Sequence, residues 1–150
     1  MGPLKLIVQI IDRKVVEVNI HEVIVPTSTG EIGIANGHIP LLSVLDIGVV
    51  RYKLDKNDRK WVPLVIPGGI VEVKNNTVII LSTTVEIVKK ETKDEDLDLY
   101  TKAINELSDQ LQVENKSLDK LSESARLQQM QKIKRAGARC QAHQFLDEDD

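Results

Sequence analysis

The residues able to do chemistry are few and scattered. His21, His38 and His143 lie far apart, and none has a partner four residues on with which to share a metal across a helix face. Cys140 is the single cysteine, which excludes an internal disulfide and a multi-cysteine zinc site. It sits in a basic stretch of the kind that can lower a thiol pKa, but no motif accompanies it, and it reads as an inert thiol. Gly68-Gly69 is not followed by Lys-Ser or Lys-Thr, so it is no phosphate loop and reads as a turn or bulge. Asn75-Asn76-Thr77 and Asn115-Lys116-Ser117 fit the glycosylation pattern by chance, since no secretion signal is recognised. No catalytic constellation, metal set or cofactor site results, and the chain does not read as an enzyme.

Two segments resist a bland reading. Gly30-Glu31-Ile32-Gly33-Ile34-Ala35-Asn36-Gly37-His38-Ile39-Pro40 packs three Gly and one Pro into eleven residues. Such a run implies a sharply shaped loop with Glu31 and His38 at its rim. The other segment is residues 124–145, which hold Arg126, Lys132, Lys134, Arg135 and Arg139 without one carboxylate. In a chain of net charge −3, such a stretch suits an anionic partner. Nucleic acid is disfavoured. The chain is acidic overall, and it has only four aromatic residues for stacking.

These segments need elements to hold them, and the chain changes character near residue 90. Residues 1–90 contain 16 Val, 14 Ile, all five Pro and seven of the eight Gly, whereas residues 91–150 contain one Val and two Ile. β-Branched residues favour pleated sheet, and Gly and Pro mark turns. The later part is rich in Leu, Gln, Lys, Glu and Ala, which form helices well. The expected organisation is a β-sandwich or flattened barrel over 1–90, a two-helix domain over 91–145 and an acidic tail over 146–150. Leu4, Leu6, Val8 and Ile10 alternate with less apolar neighbours, as do Val16, Val18 and Ile20. Further strand-like runs are Ile47–Leu54, Trp61–Ile66, Ile70–Lys74, Thr77–Ser82 and Val85–Lys89, with a tight hairpin turn at Asn75-Asn76. No stretch approaches 18 uncharged apolar residues, and the start lacks a signal-peptide or myristoylation pattern. The expected product is soluble, and any membrane association would come through a partner.

In the later part Leu97, Ile104, Leu111, Leu118 and Ala125 recur every seven residues, with Tyr100, Leu107 and Leu121 three positions later. This is an apolar seam at helical spacing. Asp94 or Asp96 suits the helix start. A turn near Asn115–Ser117 gives two antiparallel helices packed along the seam. No Gly or Pro forces that turn, and the heptad phase runs through it, so a single long helix competes with the hairpin.

Pro26, Thr27, Gly30, Glu31, Gly33, Ile34, His38, Pro40 and Gly48 follow in order the pattern P-T-x-x-G-E/Q-x-G-I/V-x-x-x-H-x-P and the Gly segment after it. That pattern resembles the ε subunits of F-type ATP synthases. Gly68-Gly69-Ile70-Val71-Glu72-Val73 and Val78-Ile79-Ile80-Leu81 are similar to that family's later strands. Lys134-Arg135-Ala136-Gly137-Ala138-Arg139 resembles its R-A-x-A-R helix, most like chloroplast and cyanobacterial members. The sequence departs at Ile10-Ile11 and at Ala35-Asn36, where Thr-Pro and Leu-Pro are usual. The nucleotide motif of some bacterial members lacks its Arg after Leu97-Asp98-Leu99-Tyr100, so ATP binding is not carried over.

The resemblance implies a non-catalytic subunit of the rotor's central stalk. It would bind the γ subunit and rest on the membrane c-ring, coupling proton transport to ATP synthesis. Its helices would restrain ATP hydrolysis by the α/β catalytic head. By position, Glu31, Gly33, His38 and Pro40 would contact the c-ring or γ. Arg126, Lys132, Lys134, Arg135 and Arg139 would face an acidic loop of a β subunit. The implied location is the stromal side of the chloroplast thylakoid membrane or, alternatively, the cytoplasmic face of a bacterial or cyanobacterial membrane. A regulatory adaptor, with a β-sandwich for one partner and a coiled-coil hairpin for another, is the alternative reading.

Overall fold

The computed structural model describes residues 2–88, 93–113 and 123–147, with side chains of the helices described over 93–106 and 127–146. Eight strands come first: β1 Leu4–Gln9, β2 Lys14–Ile20, β3 Glu22–Thr27, β4 Gly30–Ala35, β5 Leu41–Lys53, β6 Val62–Lys74, β7 Thr77–Leu81 and β8 Glu86–Ile87. Two helices follow, α1 Lys93–Val113 and α2 Glu123–Asp147. The strands run β2-β1-β7-β6-β5-β3-β4 in one sheet, with β8 on β6. β1 and β7 are parallel, and the other pairs are antiparallel.

The sheet folds over because β5 and β6 are thirteen residues long and serve two layers. Their Leu41–Leu45 and Gly69–Lys74 portions lie with β7, β1 and β2, while their Ile47–Lys53 and Val62–Pro67 portions lie with β3, β4 and β8. Leu4, Leu6, Val8, Val78 and Ile80 from one layer meet Val23, Val25, Ile34, Val50 and Leu64 from the other in one aliphatic core. That is a β-sandwich. Gly68 and Gly69 form the bend inside β6. Both have positive φ, +112° and +150°, and a Cβ on Gly69 would collide with the Leu81 carbonyl. The expected turn or bulge is thus a crease within one strand, closed by the Ser82 hydroxyl donating to the Gly68 carbonyl at 2.6 Å. Asn75 and Asn76 have φ of 51° and 58°, the left-handed pair that a two-residue hairpin turn requires.

Residues Gly30–Pro40 differ from expectation. Gly30–Ala35 is strand β4, paired with β3 from Thr27↔Gly30 to Glu22↔Ala35, and only 36–40 form a loop, with its turn at 36–37. Gly30 and Gly33 weaken the apolar alternation that normally reveals a strand, yet the backbone still completes the edge of the sheet.

The helices pack antiparallel as a hairpin folded back on the sandwich. The expected turn near Asn115–Ser117, together with Leu118 and Leu121, lies outside the described residues. α2 lies on the outer face of β5 and β6, where Val49, Val65, Val88, Ala138 and Ala142 form a second core flanked by Phe145 and Leu146. Pro63–Ile66 is therefore buried without alternation, one face on the main core and the other on α2. Of the expected seam, Leu97 is 53% and Ile104 41% exposed, Tyr100 faces Gly137 of α2, and the side chains of Leu107, Leu111 and Ala125 lie outside the described residues. Among the described side chains of α1, Asp96 and Ala103 are buried. A Cβ on Gly137 would stand 3.2 Å from the Tyr100 ring, so the two helices meet closely at that glycine.

Candidate interaction surfaces

The two expected groups of contact residues occupy different parts of the molecule. Glu31 and Gly33 lie exposed on the edge strand β4, and His38 and Pro40 lie in the turn beyond its other end. They do not share one rim. β4 separates Glu31 from His38 because the residues between them are extended.

At the first corner, Glu31 accepts a 2.6 Å ion-paired hydrogen bond from Arg51 of β5. The Arg51 guanidinium also lies 4.5 Å from the Phe145 ring centroid and 5.4 Å from that of Trp61. Lys53 covers Trp61 at 4.5 Å. At the second corner, the Gly37 amide donates to the Asn76 side chain at 2.9 Å, and Asn76 Nδ2 donates to the Gly2 carbonyl at 2.8 Å. The His38 turn is thereby fixed to the β6–β7 hairpin.

An exposed apolar strip adjoins the His38 corner. Ile39 leads to Leu42 and Val44, which are 70% and 71% exposed on β5. Val44 pairs with Ile70, and Ile70 with Leu81, both also exposed. The strip thus crosses three strands on the outer face of the layer away from α2.

Three cationic residues of α2 are engaged within the chain. Arg139 makes two hydrogen bonds of 2.6 Å to the carboxylate of Glu86 on β8, a bidentate pair. The Arg139 hydrogen bond holds the Glu86 carboxyl below the usual carboxylate range, against the opposing effect of burial. Lys132 pairs with Glu106 of α1 at 3.0 Å, and Arg135 reaches the Thr84 hydroxyl at 3.5 Å. Lys134 is exposed. Arg126 lies in the first turns of α2, and its side chain is outside the described residues.

The hairpin is joined at its base by a polar contact. His143, 2% exposed, meets the buried Asp96 through Nε2···Oδ2 at 2.7 Å, while its Nδ1 is buried without a hydrogen-bond partner. Asp96 therefore bonds across the hairpin rather than only capping α1. Burial pushes the Cys140 thiol up, with the nearby Asp96 charge adding to the effect, so the basic neighbours do not activate it.

Sequence reasoning missed Arg51, Glu86, Asn76 and the Asp96–His143 pair. Their partners are 20 to 74 residues away in the chain, and no local pattern announces them. Among the described residues, no cluster of His, Cys, Asp or Glu is arranged to hold a metal, and no helix is long and apolar enough to cross a membrane.

Comparison with known proteins adds one family, two relatives and two solved structures. Residues 3–88 match the family described as ATP synthase, Delta/Epsilon chain, beta-sandwich domain. The chain is 37% identical over 138 residues to the chloroplastic ATP synthase epsilon chain of Gracilaria tenuistipitata var. liui, covering 90% of this chain and 91% of the relative. It is 37% identical over 131 residues to the epsilon chain of Cyanothece sp. PCC 7425, covering 87% and 88%. Among solved structures, it resembles a chain of the Euglena gracilis mitochondrial ATP synthase OSCP/F1/c-ring assembly, with a TM-score of 0.68 at 17% identity, covering 91% of this chain and 78% of that one. It also resembles a chain of the Tetrahymena thermophila mitochondrial ATP synthase central stalk/c-ring, with a TM-score of 0.50 at 16% identity, covering 61% and 70%.

Proposed function

The chain belongs to the ATP synthase delta/epsilon family, as an epsilon chain, and on that premise we propose that it is a non-catalytic subunit of the central stalk that couples rotation to catalysis and restrains ATP hydrolysis. The sandwich binds γ through the strip Leu42, Val44, Ile70 and Leu81, continuous with the His38–Pro40 corner. The Glu31–Gly33 edge meets the c-ring. The helices act on the α/β head through Arg126, Lys132, Lys134, Arg135 and Arg139, which face an acidic loop of a β subunit. The chloroplastic and cyanobacterial relatives support a plastid or bacterial membrane-associated complex. Within that, the chain works at the stromal side of the thylakoid membrane, peripheral through its partners.

The observation that carries the regulatory part is that Arg139, Lys132 and Arg135 are held by Glu86, Glu106 and Thr84 of the same chain. Folded back, the hairpin gives these side chains partners in the chain, and this is the non-inhibitory form. Inhibition requires α2 to leave β5 and β6. Moving such an equilibrium from 1:99 to 99:1 takes about 5.5 kcal/mol of differential binding. Exposed ion pairs give about 0–1 kcal/mol each, and three of the five cations give up partners in the chain to form them, so they supply part of this, and the exposed Leu97 and Ile104 supply the remainder by docking on γ.

Isolated γ should capture the full chain, and a form ending after Lys93 should still fold and join the complex while inhibition is lost. Failure of the truncated form to assemble overturns the modular reading. Neutralising the five cations together should raise ATP hydrolysis of the assembled enzyme; inhibition unchanged at low and high salt overturns the electrostatic part.

A further inference from the structure

The Arg51 side chain is 16% exposed and joins three parts of the molecule: Glu31 on the edge strand, Trp61 on the sandwich and Phe145 near the end of α2. A planar guanidinium can pair in its plane and stack on its faces at once, which an ammonium cannot. Phe145 in turn packs on the second core, with Val49, Val65 and Ala142. From this arrangement we infer that Arg51 is a positioning residue that couples the Glu31 corner to the docking of α2. A cationic group of the rotor ring that takes the Glu31 carboxylate thereby loosens the helix. The inference rests on the reading of Glu31 as a ring contact.

The physical chain is short. Glu31 fixes the guanidinium through a 2.6 Å charged hydrogen bond. When a second cation draws the carboxylate away, Arg51 is left half-buried with only ring faces for company. A buried guanidinium without its acceptor is unfavourable, so it turns toward water and leaves Phe145. The last turns of α2 lose one side of their seat while the sandwich core stays intact. Glu31, half exposed, is accessible to such a competitor.

Hydrogen exchange on the full-length chain tests the coupling. Glu31→Gln should speed exchange of amides in 139–146 roughly fivefold and leave those of β1 and β7 unchanged. In an Arg51→Gln background, Glu31→Gln should add nothing, because the connecting group is gone. Should Arg51→Gln fail to fold, Arg51→Lys keeps the charge and loses the stack, and the Glu31→Gln effect should vanish there also. Equal effects of Glu31→Gln with and without Arg51, or no effect on 139–146, overturn the inference. Attachment of the assembled enzyme to its c-ring separates the two readings. If Glu31→Gln leaves attachment intact but loosens α2, the ring contact falls and the internal coupling stands. If it weakens attachment but leaves α2 unchanged, the coupling falls.

Discussion

Breaking the Arg139–Glu86 pair from its two ends should loosen the hairpin alike but change inhibition by different amounts. The pair is bidentate, with both hydrogen bonds at 2.6 Å and side chains 32% and 28% exposed. Hydrogen bonds to charged groups contribute about 1.5–3 kcal/mol; partial exposure screens this pair to about 1–2 kcal/mol. Glu86→Gln and Arg139→Gln should therefore each favour the undocked hairpin about 5- to 30-fold. Cys140, partly buried in the docked helix and alone in the sequence, reports the opening: its alkylation rate should rise by that factor in both variants. The consequences then diverge. Glu86→Gln releases an intact cationic helix, and ATP hydrolysis by the assembled enzyme should fall. Arg139→Gln releases a helix short of one cation, and hydrolysis should rise relative to Glu86→Gln. Unchanged Cys140 labelling in both variants, or equal inhibition by both, would refute the reasoning.

Three further outcomes follow from the structure. Asp96→Asn should loosen the base of the hairpin mildly, while His143→Leu, which leaves the Asp96 carboxylate buried without that contact, should cost about 2–3 kcal/mol, read as earlier thermal loss of helical signal. Gly69→Ala forces a Cβ against the Leu81 backbone carbonyl at φ +150°, and should destabilise the whole sandwich by about 3 kcal/mol or prevent its folding, measured by denaturant titration. Docking should also weaken in acid. Glu86 has a depressed pKa when docked, so the undocked form binds the proton more readily. The stabilisation is present above the pKa of a free glutamate and is lost as pH falls through the lower docked value, seen as faster exchange along α2 in wild type and not in Glu86→Gln.

Much of the architecture is legible in the residue types. The excess of Val, Ile, Gly and Pro before residue 90 marks the sheet, and Asn75-Asn76 takes up the left-handed turn its composition suggests. β3 and β4 were obscured because their irregularities are solved in space. Pro26 lacks an N–H, yet lies in an interior strand at the register break between Ile24 and Thr27. Gly48 makes the room, since a Cβ there would stand 3.0 Å from the Pro26 side chain. The helical seam is legible only in part: Leu97 and Ile104 are exposed, whereas Tyr100 meets Gly137, and the buried Asp96 pairs with His143. The cationic segment was visible as a run without acids, whereas its partner Glu86 lies 53 residues from Arg139 on a two-residue strand.

Reversible undocking of the hairpin is tested most directly by preventing it. Cysteines placed at Glu86 and Arg139, in a Cys140→Ser chain, can be joined by a short thiol-reactive linker across the contact between α2 and the sandwich. The joined chain should bind γ as well as the unjoined chain and fail to restrain ATP hydrolysis in the assembled enzyme. Hydrolysis restrained equally in the joined and unjoined forms would contradict the account.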